Sequence, residues 1–263
     1  MKFGIFIALQ LFSWSMLAQS LNKVQTISGS FDFVRMDNFG KLYLVKGNEV
    51  KMYGPDGNFL SQNSDKYLGD ITDIDATNGL ELLVFFEDQV QILFLDNQLG
   101  LKGRDIPLEE LGFQQVSHAC NSYGNGVWLF DKVKFQLTRL DKKNSFTANS
   151  GNLSQLLGFS VDPIYMRESN NWLYLLDRKK GILVFDIYGA YYKTIPVTGI
   201  DYFQVSGNNL IHYKKPYVLS FNLKELETDT LWQTTSDIKQ VILGKNRMNF
   251  LQKGSLDIML YER

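Results

Sequence analysis

The chain has 263 residues with 27 basic and 28 acidic side chains, so a formal net charge of −1 removes the overall basic excess that a nucleic-acid binder carries. Thirteen Tyr and 19 Phe against only 5 Pro, with no helical period held over about ten residues beyond position 30, point to one large all-β domain. The single cysteine, Cys120, excludes an intramolecular disulfide, and stability must come from packing.

Residues 1–18 read as a signal peptide. Lys2 gives a positive start, Phe3 to Leu17 is almost wholly apolar, and Leu17-Ala18-Gln19 makes a small-residue exit with cleavage after Ala18. The apolar run of about 15 residues is shorter than the roughly 20 that a spanning helix needs. Residues 19–263 are then a single domain with no membrane span after cleavage, exported to the periplasm or associated with the outer membrane.

From residue 20 onward one pattern recurs six times. It is plainest in Asn171 to Ile195, where strand-like runs Trp172 to Leu176, Gly181 to Asp186 and Ala190 to Ile195 are split by the polar break Asp177 to Lys180 and a turn ending at Gly189. First strands are expected at Phe31 to Met36, Asp70 to Ala76, Gln115 to Cys120, Pro163 to Glu168, Asp201 to Ser206 and Asp237 to Leu243. Second strands follow at Lys41 to Val45, Glu81 to Phe86, Val127 to Asp131, Trp172 to Asp177, Leu210 to Tyr213 and Met248 to Gln252. The spacing of about 38 to 47 residues is that of propeller blades. Third strands are expected at Glu49 to Tyr53, Gln89 to Asp96, Lys134 to Asp141, Gly181 to Asp186, Tyr217 to Asn222 and Ser255 to Tyr261.

The last unit ends one strand short, and Lys23 to Ser28 is a strand-like piece left over at the other end. Joining the two closes the ring and removes an exposed edge. The fold read from these residues is all-β: a six-bladed β-propeller of four-stranded antiparallel blades, closed by its N-terminal strand. Two long connectors, Pro107 to Phe113 and Asn152 to Phe159, should each make a helical turn on the face that also carries the loops after the second strands.

The turn grammar of Asp37, Gly40, Leu42, Tyr43 and Gly54 to Gly57, repeated as Leu173, Tyr174, Asp177, Phe185, Asp186 and Gly189, resembles the NHL-type and six-bladed propeller families of exported bacterial proteins. The resemblance covers nearly all of residues 19–263 and bears on fold far more than on function. Among lactonase-like and gluconolactonase-like propellers it implies an axial carboxylate and amide cluster for a divalent cation, which Asp73 or Asp75 with Asn121 would supply here.

The residues themselves argue against that chemistry. Arg35, Arg167 and Lys239 stand at similar depth on the inner strands, so mutual neutralisation with Asp73 and Asp75 is expected in place of a metal. His118 and His212, on different units with one cysteine, fall short of a zinc ligand set. Cys120 reads as buried, and neither a Gly-x-Ser-x-Gly elbow nor a phosphate-cradling glycine loop is present. No catalytic residue, metal or cofactor is expected.

What remains is a locally basic loop face beside aromatic residues on the connectors. Arg178, Lys179, Lys180, Lys214, Lys215, Phe113 and Phe159 are the residues expected to meet a partner. The function that follows is an exported, non-catalytic interaction or scaffold module of the bacterial envelope, with an envelope or secreted protein as partner. The alternatives are a metal-dependent lactonase-like or lyase-like enzyme, and a propeller that binds a glycan or another small ligand.

Overall fold

A computed structural model describes residues 21–261; the leader lies outside them. The described residues form six four-stranded antiparallel sheets arranged as propeller blades. Blade 1 runs Phe33–Met36, Leu42–Lys46, Glu49–Tyr53 and Phe59–Ser64, and blade 2 Asp73–Asp75, Glu81–Phe86, Gln91–Asp96 and Leu101–Pro107. Blade 3 takes Val116–Ser122, Gly126–Asp131, Gln136–Leu140 and Phe146–Asn149, and blade 4 takes Pro163–Ser169, Trp172–Asp177, Gly181–Phe185 and Tyr191–Ile195. Blade 5 is built from Phe203–Ser206, Asn209–Lys214, Tyr217–Asn222 and Thr228–Gln233.

Blade 6 supplies Gln240–Leu243, Arg247–Leu251 and Ser255–Tyr261, and its outer strand is Leu21–Ser28, paired antiparallel from Leu21 opposite Tyr261 to Ser28 opposite Ser255. The two ends of the chain therefore share one sheet. The turn of blade 1 presses on this closure: a Cβ on Gly57, at φ +83°, would lie 2.7 Å from the Gln25 side chain and 2.9 Å from Ile258.

The turns are held by aspartates. In the turns between third and outer strands, Asp96, Asp141 and Asp186 each accept two backbone N–H bonds at 2.8–2.9 Å, from the residues two and four positions on. Asp131 and Asp177 do the same after the second strands, capping the N–H groups two and three positions ahead. This is why Asp recurs at the end of an apolar run. Its carboxylate replaces the strand partner that the turning backbone has just lost.

The core is divided rather than central. Six apolar clusters lie one at each seam between adjacent blades, and the cluster between blades 3 and 4, for instance, joins Trp128, Phe130 and Leu137 to Leu173, Leu175 and Phe185. Near-continuous burial of the second strands follows, since each of their faces meets a neighbouring blade. The two connectors become a 3-10 turn at Leu108–Leu111 and a short helix at Leu153–Leu157, and each plugs a leucine that is 0% exposed into the seam below it.

Ile27 is 7% exposed and packs with Leu256 and Ile258 in the seam between blades 6 and 1. Replacing it with alanine should lower unfolding free energy by about 2–5 kcal/mol, measured by urea denaturation. A loss below about 0.5 kcal/mol would mean that the N-terminal strand does not hold the ring closed.

Candidate functional site

The axis of the ring is lined by the innermost strands, and alternate residues on those strands point into it. Asp73 and Asp75 of blade 2 face the axis together, as do Tyr165 and Arg167 of blade 4. Arg167 crosses from blade 4 to blade 2, with Nη2 3.0 Å from Asp73 Oδ2 and Nη1 2.6 Å from Asp75 Oδ2. Arg35 of blade 1 meets Asp73 Oδ1 at 2.6–2.8 Å. Rings complete the cage: the Arg35 guanidinium lies 4.5–5.1 Å from the centroids of Phe33, Tyr165 and Tyr202, and that of Arg167 5.0 Å from Tyr165.

Two guanidinium groups thus balance two carboxylates. Burial pushes the Asp75 carboxyl up, but Arg167 and Thr77 outweigh it and hold the group below the usual carboxylate range. The remaining acceptor positions of Asp75 are taken by the Thr77 hydroxyl and the N–H groups of Thr77 and Asn121. Asp73 also accepts from its neighbour Ile74 N–H. An axial divalent cation does not fit these residues, because protein donors already occupy the carboxylate oxygens it would need. Among the described residues no group of three or more His, Cys, Asp or Glu converges as a metal site.

The other inner-strand polar groups clamp neighbouring blades. Gln240 accepts from Val34 N–H at 3.1 Å and donates to the Val34 carbonyl at 2.9 Å, and Gln204 likewise accepts from Leu243 N–H at 3.0 Å and donates to its carbonyl at 2.9 Å. Asn121 donates its backbone N–H to Asp75 Oδ2 and its side-chain amide N–H to the Asp75 carbonyl. Glu168 accepts from Ser122 Oγ, Tyr123 N–H and Trp128 Nε1 at 2.6–3.0 Å. Lys239, expected in the channel, donates to the Phe31 carbonyl instead.

Neither histidine is placed for acid–base work. His212 is 5% exposed, and burial brings it down to about 4. Burial likewise lowers His118, whose Nδ1 lies 2.9 Å from Ser117 Oγ. Cys120 is fully buried, which raises its thiol well above the ordinary range and leaves it unreactive.

The basic loop face is only partly as expected. Arg178 is bound by Asp201 at 2.5–2.7 Å and Lys215 by Asp237 at 2.9 Å. Lys180 sits 4.8 Å over the ring of Phe159, which is partly buried against the seam between blades 3 and 4. Lys179 is exposed beside them, and Lys214 helps line a 180 Å³ cavity between blades 5 and 6 with Lys239 and Tyr213. Phe113 is a correction. It is 2% exposed and stacked on Phe146 at 5.6 Å, because its connector folds back and inserts it into the seam between blades 2 and 3.

The opposite face carries what the sequence reading missed. There the turns between first and second strands raise Phe39, Leu80 and Tyr123, exposed to 60%, 58% and 42%, on three consecutive blades. Phe39 reaches the turn of the next blade, where a Cβ on Gly79 would lie 2.8 Å from its ring, and within blade 3 Arg139 lies 3.7 Å from the centre of the Tyr123 ring while donating to the Tyr123 carbonyl. Beside them opens the channel mouth, a 200 Å³ cavity over Arg35 and Arg167, which runs into a 320 Å³ groove lined by Asn78, Asn121 and Tyr123. The available signal was a lone large apolar residue inside a turn motif, as in Asp37-Asn38-Phe39-Gly40.

No family model matches the chain, and no curated protein sequence does. Solved propellers do. The WD40 domain of Pan2 from Neurospora crassa superposes at a TM-score of 0.66 with 8% identity, covering 92% of this chain and 96% of that one. A catalytically inactive His-to-Ala variant of virginiamycin B lyase from Staphylococcus aureus, with quinupristin, gives 0.59 with 10% identity over 92% and 99%. BBS1N in complex with ARL6DN gives 0.57 with 13% identity over 89% and 78%. At these identities the likeness is one of fold.

Replacing Arg167 by methionine leaves the buried Asp75 carboxylate without its guanidinium partner, while Asp73 keeps Arg35, and should cost about 3–5 kcal/mol near neutral pH. The pH dependence has a definite sign. The folded pKa of Asp75 lies below its unfolded value, so its contribution is present above the unfolded value and is lost as pH falls through the folded one. In Arg167→Met the buried Asp75 carboxyl, without its guanidinium, instead favours its protonated form. The stability gap between the two proteins should therefore narrow as pH drops from about 7 to about 4, a span that crosses the ordinary carboxylate range. Urea melts at both ends measure it, and a constant gap would show that the network contributes no charge coupling.

Proposed function

We propose that the chain is an exported, non-catalytic propeller that docks a protein partner in the bacterial cell envelope. The observation that carries this reading is the exposure of Phe39, Leu80 and Tyr123 on the same turns of three consecutive blades, beside a mouth whose axial charges pair with one another. Aromatic and large aliphatic anchors surrounded by polar groups are what interface hot spots are made of. The similar propeller BBS1N is recorded with a protein, ARL6DN, bound to it. The apolar leader at residues 1–18 supports export, and no helix among the described residues is long and apolar enough to cross a membrane.

The enzymatic alternative draws on the likeness to virginiamycin B lyase, a protein that a His-to-Ala change inactivates. Against it, neither histidine of this chain lines the mouth: His212 is buried and His118 lies beside Ser117. The docking reading also leaves the basic loops a role as a second contact surface, with Lys179 and Lys214 as its cations outside the ion pairs described above.

Affinity capture from the native envelope separates the faces. Phe39→Glu with Leu80→Glu should reduce recovery of the partner about tenfold or more while leaving thermal unfolding unchanged. Arg178→Glu with Lys180→Glu and Lys214→Glu should reduce it about threefold or less, as rim charges do. If only the second set abolished capture, the site would lie on the basic loops, and if neither set changed it the docking reading would fail.

A further inference from the structure

A second site lies away from both faces' centres, in a cleft of 240 Å³ between blades 4 and 5. Its wall is Trp172 and Tyr192, whose rings lie 4.8 Å apart at 33°, so they back each other and turn one side outward. Val184 and Ile195 make an aliphatic floor. The strand bulge between Val184 and Phe185 is what places Tyr192 there, since it adds one residue to the outer strand opposite this pair.

Two features of this cleft are aimed at its open side. Tyr174 lines it at 3% exposure, yet its hydroxyl bonds to no group among the described residues, and burial alone raises its pKa. A buried phenol normally finds a partner, and here the open side is the cleft. Lys193, whose ammonium lies 5.5 Å from the centre of the Tyr192 ring, and Lys224 also line the cleft with no acidic partner among the described residues, and the lining they share holds no carboxylate. Arg178 and Lys215 on the loop face behave differently, each being held by an aspartate.

We infer that this cleft binds a saccharide unit bearing a carboxylate, a pyranose of the uronic-acid type. Such a ring has an apolar C–H face for the Trp172 wall and the aliphatic floor. Its hydroxyls suit the Tyr174 hydroxyl and the Asn170 and Asn208 side chains at the rim. The carboxylate answers Lys193 and Lys224. A planar base sandwiched between rings is disfavoured, because Trp172 and Tyr192 already stack on each other. The site shares none of Phe39, Leu80 or Tyr123, so it stands or falls apart from the docking surface.

The probe is trigalacturonic acid, titrated into the full chain by calorimetry, with maltotriose, AMP and a hexaglutamate peptide as comparisons. Saturable binding of the trimer is expected, weakening about tenfold or more in Trp172→Ala. Tyr174→Phe keeps the packing and removes only the hydroxyl, and should weaken binding about three- to tenfold with thermal unfolding unchanged. Lys193→Gln with Lys224→Gln should weaken binding and flatten its salt dependence. Absence of binding, or binding indifferent to Tyr174→Phe and Trp172→Ala, would overturn the site. Equal binding of maltotriose would overturn the acidic requirement, and tighter binding of AMP or the peptide in the cleft would overturn the saccharide assignment.

Discussion

The ring depends on Arg167 reaching across its axis to Asp73 and Asp75. A propeller's innermost strands have no further strand to pair with, so backbone and side-chain polar groups meet at the axis with limited access to water. Burying one charge there is costly, and burying a matched set is tolerable only when every oxygen and nitrogen finds a partner. Here Arg35 and Arg167 form ion pairs with Asp73 and Asp75, and the rings of Phe33, Tyr165 and Tyr202 lie against the Arg35 guanidinium. Because Arg167 skips blade 3 to reach blade 2, it ties non-adjacent blades and fixes the diameter of the hole.

Around that centre each seam has its own fastening. Gln240 and Gln204 imitate a strand by giving and taking one hydrogen bond each with the next inner strand. Asn121 and Glu168 fasten blade 3 on either side. These residue types at these positions could serve catalysis in another propeller. Here their lone pairs and protons are spent on one another, and the chemistry available to a ligand moves outward to turns and seams.

The strands were legible in the sequence because apolar runs ending in Asp mark both the strand and the turn that stops it. Asp96, Asp141 and Asp186 show why the mark is physical: each carboxylate caps the backbone it turns. Closure by the N-terminal strand was legible for a topological reason, one strand missing at one end and one spare at the other. The axial neutralisation followed from alternation on the inner strands. Phe113 was misread because an aromatic residue on a connector reads the same whether it faces water or is folded back into a seam. The pairing of Arg178 with Asp201 joins blades 4 and 5 through residues 23 apart, and no local pattern announces it. Phe39 and Leu80 were passed over because the turns holding them read as punctuation.

The seam between blades 4 and 5 differs in kind from those beside it. At the inner strands it is closed by aromatic packing, Tyr165 against Tyr202 at 4.9 Å and against Phe203 at 5.1 Å, with an Asn170 amide bond to the Gly207 carbonyl at the mouth. Ring contacts are strong in sum but weakly directional, whereas a paired amide fixes register within a few tenths of an ångström. The rings close the inner end of this seam and leave its outer end to the cleft. That is where Tyr174 keeps a free hydroxyl and where Trp172 reaches the surface. The cleft thus opens at the outer end of an interface whose inner end is closed by aromatic packing.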